Sequence, residues 1–140
     1  MRFPQKRAKF SERAQVNGIK SYTKIVTMPD GGSGFQDAEL ALTDQIVAEG
    51  VPAFFVAGLG SGQVIFLRSD GFDSEPHPAP RKQWVLMLKG TIEVEVSDGS
   101  RRRFGPGDLI LAADTTGHGH VTTAIGAPPF EGLFVPAPDQ

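Results

Sequence analysis

His77 stands in the run Ser74-Glu75-Pro76-His77-Pro78-Ala79-Pro80, and Gln83 follows six positions later at the head of an apolar stretch, Trp84 to Leu88. The other two of the chain's three histidines, His118 and His120, flank Gly119 in the segment Asp114-Thr-Thr-Gly-His-Gly-His120. Imidazole nitrogens and a side-chain amide oxygen are donors suited to Fe, Ni, Zn, Cu or Mn. The chain has no cysteine, so neither a thiolate metal site nor a disulfide framework is open to it. Each residue also has a plainer reading. His77 could be a surface residue between prolines. His118 could hydrogen-bond the tight turn at Gly117. Gln83 could pin a neighbouring backbone amide as a buried polar group.

The segments that must position these residues read as strands. Tyr22 to Thr27 is a first strand, followed by the turn Pro29 to Gly34. In Phe35 to Leu42, Ala38, Leu40 and Leu42 alternate with Asp37 and Glu39, which is strand period even though the composition favours helix. Thr43 to Glu49 is expected to hold a short helical turn. Val51 to Val56 and Val64 to Arg68 read as strands around a hairpin-like loop, Gly58 to Gln63. That loop looks like half of a dinucleotide fingerprint, but Gln63 takes the third glycine's place and a strand follows where a helix is needed. No nucleotide cofactor is therefore expected.

Gln83 to Lys89 is apolar on both faces, with Val85 and Met87 on the side of Gln83, and Trp84, Leu86 and Leu88 on the other. Both faces must be covered, the second one by another subunit in a homodimer. Thr91 to Ser97 alternates Ile92, Val94 and Val96 against Glu93 and Glu95, which reads as a solvated outer face. Asp98-Gly99 predicts a type I′ turn into Arg101 to Phe104. Leu109 to Ala113, His118 to Ala124 and Phe130 to Val135 complete the series. If His118 and His120 lie on a strand, their two-residue spacing puts both on one face. Asp114 is a candidate partner for one of these histidines.

The spacing of Gly71, His77, Gln83 and Gly90 resembles the first motif of the cupin superfamily: glycine, five residues, His-x-His, three or four residues, glutamate, six residues, glycine. Ala79 stands at the second histidine and Gln83 at the glutamate. Gly107 and His118 match the second motif, in which Ala113, Thr115 and Thr122 replace the proline, glycine and asparagine. The chain is also similar to a subgroup of small single-domain cupins that carry His-Pro-x-Pro-x-x-Gln, then Gly-Pro-Gly-Asp, then Asp-Thr-Thr-Gly-x-Gly-His. In that subgroup the shared histidine of the last motif corresponds to His120, and the likeness extends more loosely to Pro29-Asp30-Gly31.

The resemblance implies an all-β jelly-roll barrel with little helix. It implies that His77, Gln83, His118 and His120 gather in the interior as ligands of a divalent metal ion. Such an ion would act as a Lewis acid on a small carbonyl- or oxygen-bearing metabolite, in an isomerase, cyclase, lyase or dioxygenase reaction. Loss of metal below about pH 6.5 would follow from imidazole protonation. The other expectation is a non-catalytic cupin that binds a small ligand or acts in regulation without metal, which the loss of a histidine at Ala79 favours. No catalytic residue is assigned.

A chain of 140 residues fits one domain. The expected organisation is a basic, flexible arm over 1–20, with Arg2, Lys6, Arg7, Lys9 and Arg13, and a single domain over 21–137. A net charge of −2 gives no basic excess for nucleic acid. No apolar run is long enough to span a membrane, and no apolar segment follows the basic arm as a signal peptide requires. The expected setting is cytoplasmic, with a small-molecule ligand or substrate.

Overall fold

The computed structural model describes residues 18–46, 48–50, 52–69, 75–126 and 130–138. Its elements are eleven strands: β1 Ile19–Thr27, β2 Ser33–Ala41, β3 Thr43–Gln45, β4 Phe54–Val56, β5 Ile65–Ser69, β6 Gln83–Lys89, β7 Thr91–Glu95, β8 Arg101–Phe104, β9 Leu109–Ala112, β10 Val121–Ile125 and β11 Phe130–Pro136. Gly71 and most of the expected N-terminal arm lie outside the described residues, and Ile19 and Lys20 already belong to β1. No helix among the described residues is long and apolar enough to cross a membrane.

These residues fall into two compact units, 18–21 with 38–58 and 22–37 with 59–138. The first holds the outer ends of β1 and β2 and the antiparallel pair β3–β4. The short helical turn expected over Thr43 to Glu49 is instead a strand at Thr43–Gln45, each residue of which has a partner on β4. Cross-strand pairing outweighs the local propensity there.

The second unit is built on a six-stranded sheet, β2-β1-β9-β6-β11-β5, and a three-stranded sheet, β10-β7-β8. A further bridge pairs His77 antiparallel with His120, just ahead of β10. Followed from β5, the chain visits the first sheet, then the second at His77, then the first at β6. It returns to the second for β7 and β8, to the first for β9, to the second for β10, and ends in the first with β11. Two four-membered layers result, β9-β6-β11-β5 and His77-β10-β7-β8, with β1 and β2 extending the first. Eight segments alternating in this way are the jelly roll that cupins share. The fold is thus the expected all-β jelly roll, although the two sheets do not join into one closed barrel among the described residues.

Alternation along the strands makes the core. Ile92, Val94 and Val96 are buried with Ile25, Met87, Phe104 and Ile110. Glu93 and Glu95 face outward and meet Arg103 and Arg101 of β8, their register partners, in surface ion pairs. The β7–β8 turn differs from the type I′ form. That form needs positive φ at both central residues, and here only Gly99 has it, at 90°. Gly99 N–H donates to Val96 O and Val96 N–H to Ser100 O, which makes a three-residue loop. Asp98 accepts from the Ser100 N–H, and hydrogen bonding to Ser100 holds its carboxyl below the usual carboxylate range. The loop before β5 is not a hairpin, because β4 pairs with β3 while β5 pairs with β11.

Strand β6 is covered on both faces in part by the chain itself. The Trp84 indole N–H donates to Leu59 O at 2.6 Å, and the Tyr22 ring meets the indole edge-on with centroids 4.9 Å apart. Of the strip Trp84, Leu86 and Leu88, only Leu88 is substantially exposed, at 44%. The apolar basis for a homodimer through this strip is therefore smaller than the alternation alone suggests. Trp84→Phe should cost about 1–3 kcal/mol in urea unfolding, from the lost hydrogen bond and imperfect filling. A change within about 0.5 kcal/mol, the range of ordinary surface substitutions, would show that this contact does not anchor the face.

Candidate functional site

A cavity of about 530 Å³ lies between the two layers of the jelly roll. Its walls are mainly apolar, from inward positions of β6, β7, β9 and β11 such as Val85, Met87, Ile92, Ile110 and Phe134. His77, Gln83 and His120 line it as well. The register sets these polar groups toward one end. Gln83 opens β6 opposite Ala112 and Pro136, and His120 precedes β10. Met87, Ile92 and Phe130 occupy the other end, with Ser69 of β5 opposite Phe130, beside the tight β6–β7 connection.

The structure brings His77 and His120 together through backbone. Each donates its N–H to the other's carbonyl at 3.1 Å, and the ring centres lie 6.0 Å apart. His77 is exposed at the rim, with its Nδ1 3.1 Å from Pro78 O. His120 is buried, and its Nδ1 lies 2.6 Å from Asp114 Oδ2. Asp114 has no exposed surface and does not itself line the cavity. A carboxylate can only accept, so His120 carries a proton on Nδ1, and Nε2 is the ring nitrogen that Asp114 leaves free for a ligand in the cavity that His120 lines. Asp114 Oδ1 is buried without a hydrogen-bond partner, while the Asp114 backbone carbonyl accepts from the Ala79 N–H.

His118 stands apart from this group. It is exposed, does not line the cavity, and its N–H donates to Gly31 O. The period-two argument fails because the strand begins only at Val121. Gly117 and Gly119, on either side, have φ of 78° and 79°, so the chain reverses around His118 and sends it outward. Three contributors lacked a clear sequence signal. Arg81 Nε donates to Gln83 Oε1 at 3.1 Å, a contact between residues two apart in an extended segment. Thr122 and Gly132 line the cavity from strands that the sequence shows only as short apolar runs.

A bound divalent metal needs roughly three protein ligands. Among the described residues no three His, Cys, Asp or Glu side chains are grouped so as to hold one. The remaining donor is neutral Gln83, and its oxygen already accepts from a guanidinium. That positive charge, beside the would-be ligand atom, opposes a cation. The Asp114 carboxylate is turned to His120 Nδ1 rather than to the cavity. The described residues do not fit a metal centre.

Gly119 lets the two histidine segments approach. A Cβ there would fall 2.0 Å from the His77 carbonyl carbon, at a positive φ. Gly119→Ala should therefore break the His77–His120 bridge and cost more than about 3 kcal/mol in urea unfolding. Gly99→Ala, with nothing within 4 Å of the new methyl group, should carry only the left-handed backbone penalty of about 1–2 kcal/mol. Equal costs for the two would contradict the close approach at Gly119.

No family model and no curated protein matches the chain. Among solved structures it is similar to the cupin domain of Schizosaccharomyces pombe Cnp3, with 12% identity, a TM-score of 0.43, and 85% of this chain and 84% of that chain covered. The jelly-roll assignment rests on the strand order of the chain itself.

Proposed function

We propose that the chain binds a small, largely apolar molecule carrying an oxygen function in the jelly-roll cavity, without a metal ion. The observation that carries this reading is the mainly apolar wall of the cavity, broken by a few polar side chains, His77, Gln83 and His120 at one end with Thr122 and Ser69 farther along. Such a pocket, with few convergent polar groups, suits a compact organic ligand. At the polar end, His120 Nε2 offers an acceptor. Because Arg81 occupies Gln83 Oε1, Gln83 offers its amide N–H. A hydroxyl can donate to the first and accept from the second, and a carbonyl can accept from Gln83. The metal-dependent enzyme that the cupin resemblance implies is the less supported reading, because the donor set is short of ligands.

The test is titration with 2-naphthol, whose fluorescence reports transfer to an apolar site and whose hydroxyl matches the polar end. Saturable, stoichiometric binding is expected, unchanged by a chelator and abolished by Thr122→Phe, which fills the cavity from β10. Protein purified without a polyhistidine tag should contain only substoichiometric transition metal by plasma mass spectrometry. Chelator-sensitive binding, or one metal per chain, would overturn the metal-free reading. Unaltered binding to Thr122→Phe would place the naphthol elsewhere.

A further inference from the structure

On the reading of the cavity as a small-molecule site, we propose that it also catalyses proton transfer at a carbon next to a carbonyl, with His120 as base and small apolar ketones as substrate class. The argument starts from the buried Asp114–His120 hydrogen bond of 2.6 Å. In the neutral ring it selects the tautomer with the proton on Nδ1 and the lone pair on Nε2. It also sets a carboxylate behind the ring, where it can balance the positive charge that develops when the ring takes a proton. Burying a carboxylate is costly. Here one Asp114 oxygen even goes without a hydrogen-bond partner.

Gln83 supplies the second requirement. Proton abstraction beside a carbonyl moves negative charge onto the oxygen, and a donor aimed at that oxygen stabilises the transition state. Arg81 holds the Gln83 oxygen and so leaves the amide N–H as the donor; Arg81 is a positioning residue. The apolar remainder of the cavity keeps the local dielectric low, which strengthens both interactions. His77 lies at the exposed rim, its ring centre 6.0 Å from that of His120, where it can pass the proton to and from water.

In the step, the α C–H bond breaks as Nε2–H forms. The C–H electron pair becomes the C=C bond, and the carbonyl π pair moves to oxygen as an enolate that accepts from Gln83. The proton then returns from His120 to carbon. Nothing is oxidised or reduced, and no co-reactant is consumed. In D2O the imidazolium proton exchanges before return, so the ketone acquires deuterium.

The experiment incubates the full chain with 1-phenylpropan-2-one in D2O and follows loss of the benzylic proton signal by NMR, with ketone binding measured in parallel. The expected rate is at least about 100-fold above buffer, the lower range of general-base catalysis. His120→Gln should return it to the buffer rate. Asp114→Asn should lower the rate at least about 100-fold by favouring the wrong tautomer, with ketone affinity nearly unchanged, a split that a merely structural role would not give. Thr122→Phe, which leaves the dyad in place, should abolish exchange, and His118→Gln should leave it intact. Ketone bound but exchanging at the buffer rate, or full exchange in His120→Gln, would overturn the proposal and leave the pocket standing. Binding of 2-naphthol without binding of the ketone would overturn the substrate class. Failure of both to bind would remove the pocket reading itself.

Discussion

Two backbone hydrogen bonds between His77 and His120 hold the site together. They add the His77 segment to the second sheet as a fourth member, and they do so where β6 and β10 begin. The prolines at 78 and 80 remove two backbone donors and restrict the chain that leads into β6. The Ala79 N–H between them reaches the Asp114 carbonyl. One short segment is therefore tied to both the His120 strand and the loop that carries Asp114. The approach is close enough that only glycine fits at position 119. Gln83 then opens β6 on the inward face, and the polar end of the cavity is complete.

That polar end has a cost that the rest of the fold must offset. Asp114 is fully enclosed, and one of its oxygens has no partner. An unsatisfied buried acceptor is worth about 1–3 kcal/mol of destabilisation. Against this stand the apolar contacts of Ile25, Met87, Ile92, Val94 and Ile110 between the layers. A fold under selection for stability alone would replace Asp114 and His120 by apolar residues of similar size, a change that is often neutral or stabilising. Their presence next to a cavity fits a chemical use.

Much of this was legible in the sequence. The alternation of Ile92, Val94 and Val96 against Glu93 and Glu95 fixed the inward face of β7, and Gln83, Val85 and Met87 likewise share the cavity side of β6. Asp114 could be named as a partner of a histidine because it opens the turn that carries two of them. What could not be read was which histidine turns inward. That depends on the positive φ of Gly117 and Gly119, and a Gly-His-Gly-His string is compatible with a strand as well as a turn. The β3 strand was hidden for a related reason: three residues, Thr43–Gln45, carry no periodicity, and only pairing with β4 defines them. The cover over Trp84 was also invisible, since Leu59 and Tyr22 are distant in sequence.

The central claim is that Asp114 fixes the neutral His120 ring with its lone pair on Nε2. Long-range proton–nitrogen correlation spectra of the histidine side chains read this state directly. The account predicts, for the neutral His120 ring, a protonated Nδ1 in a strong hydrogen bond and an unprotonated, metal-free Nε2. A proton on Nε2 with a bare Nδ1, or an Nε2 shift that moves when a chelator is added, would contradict it.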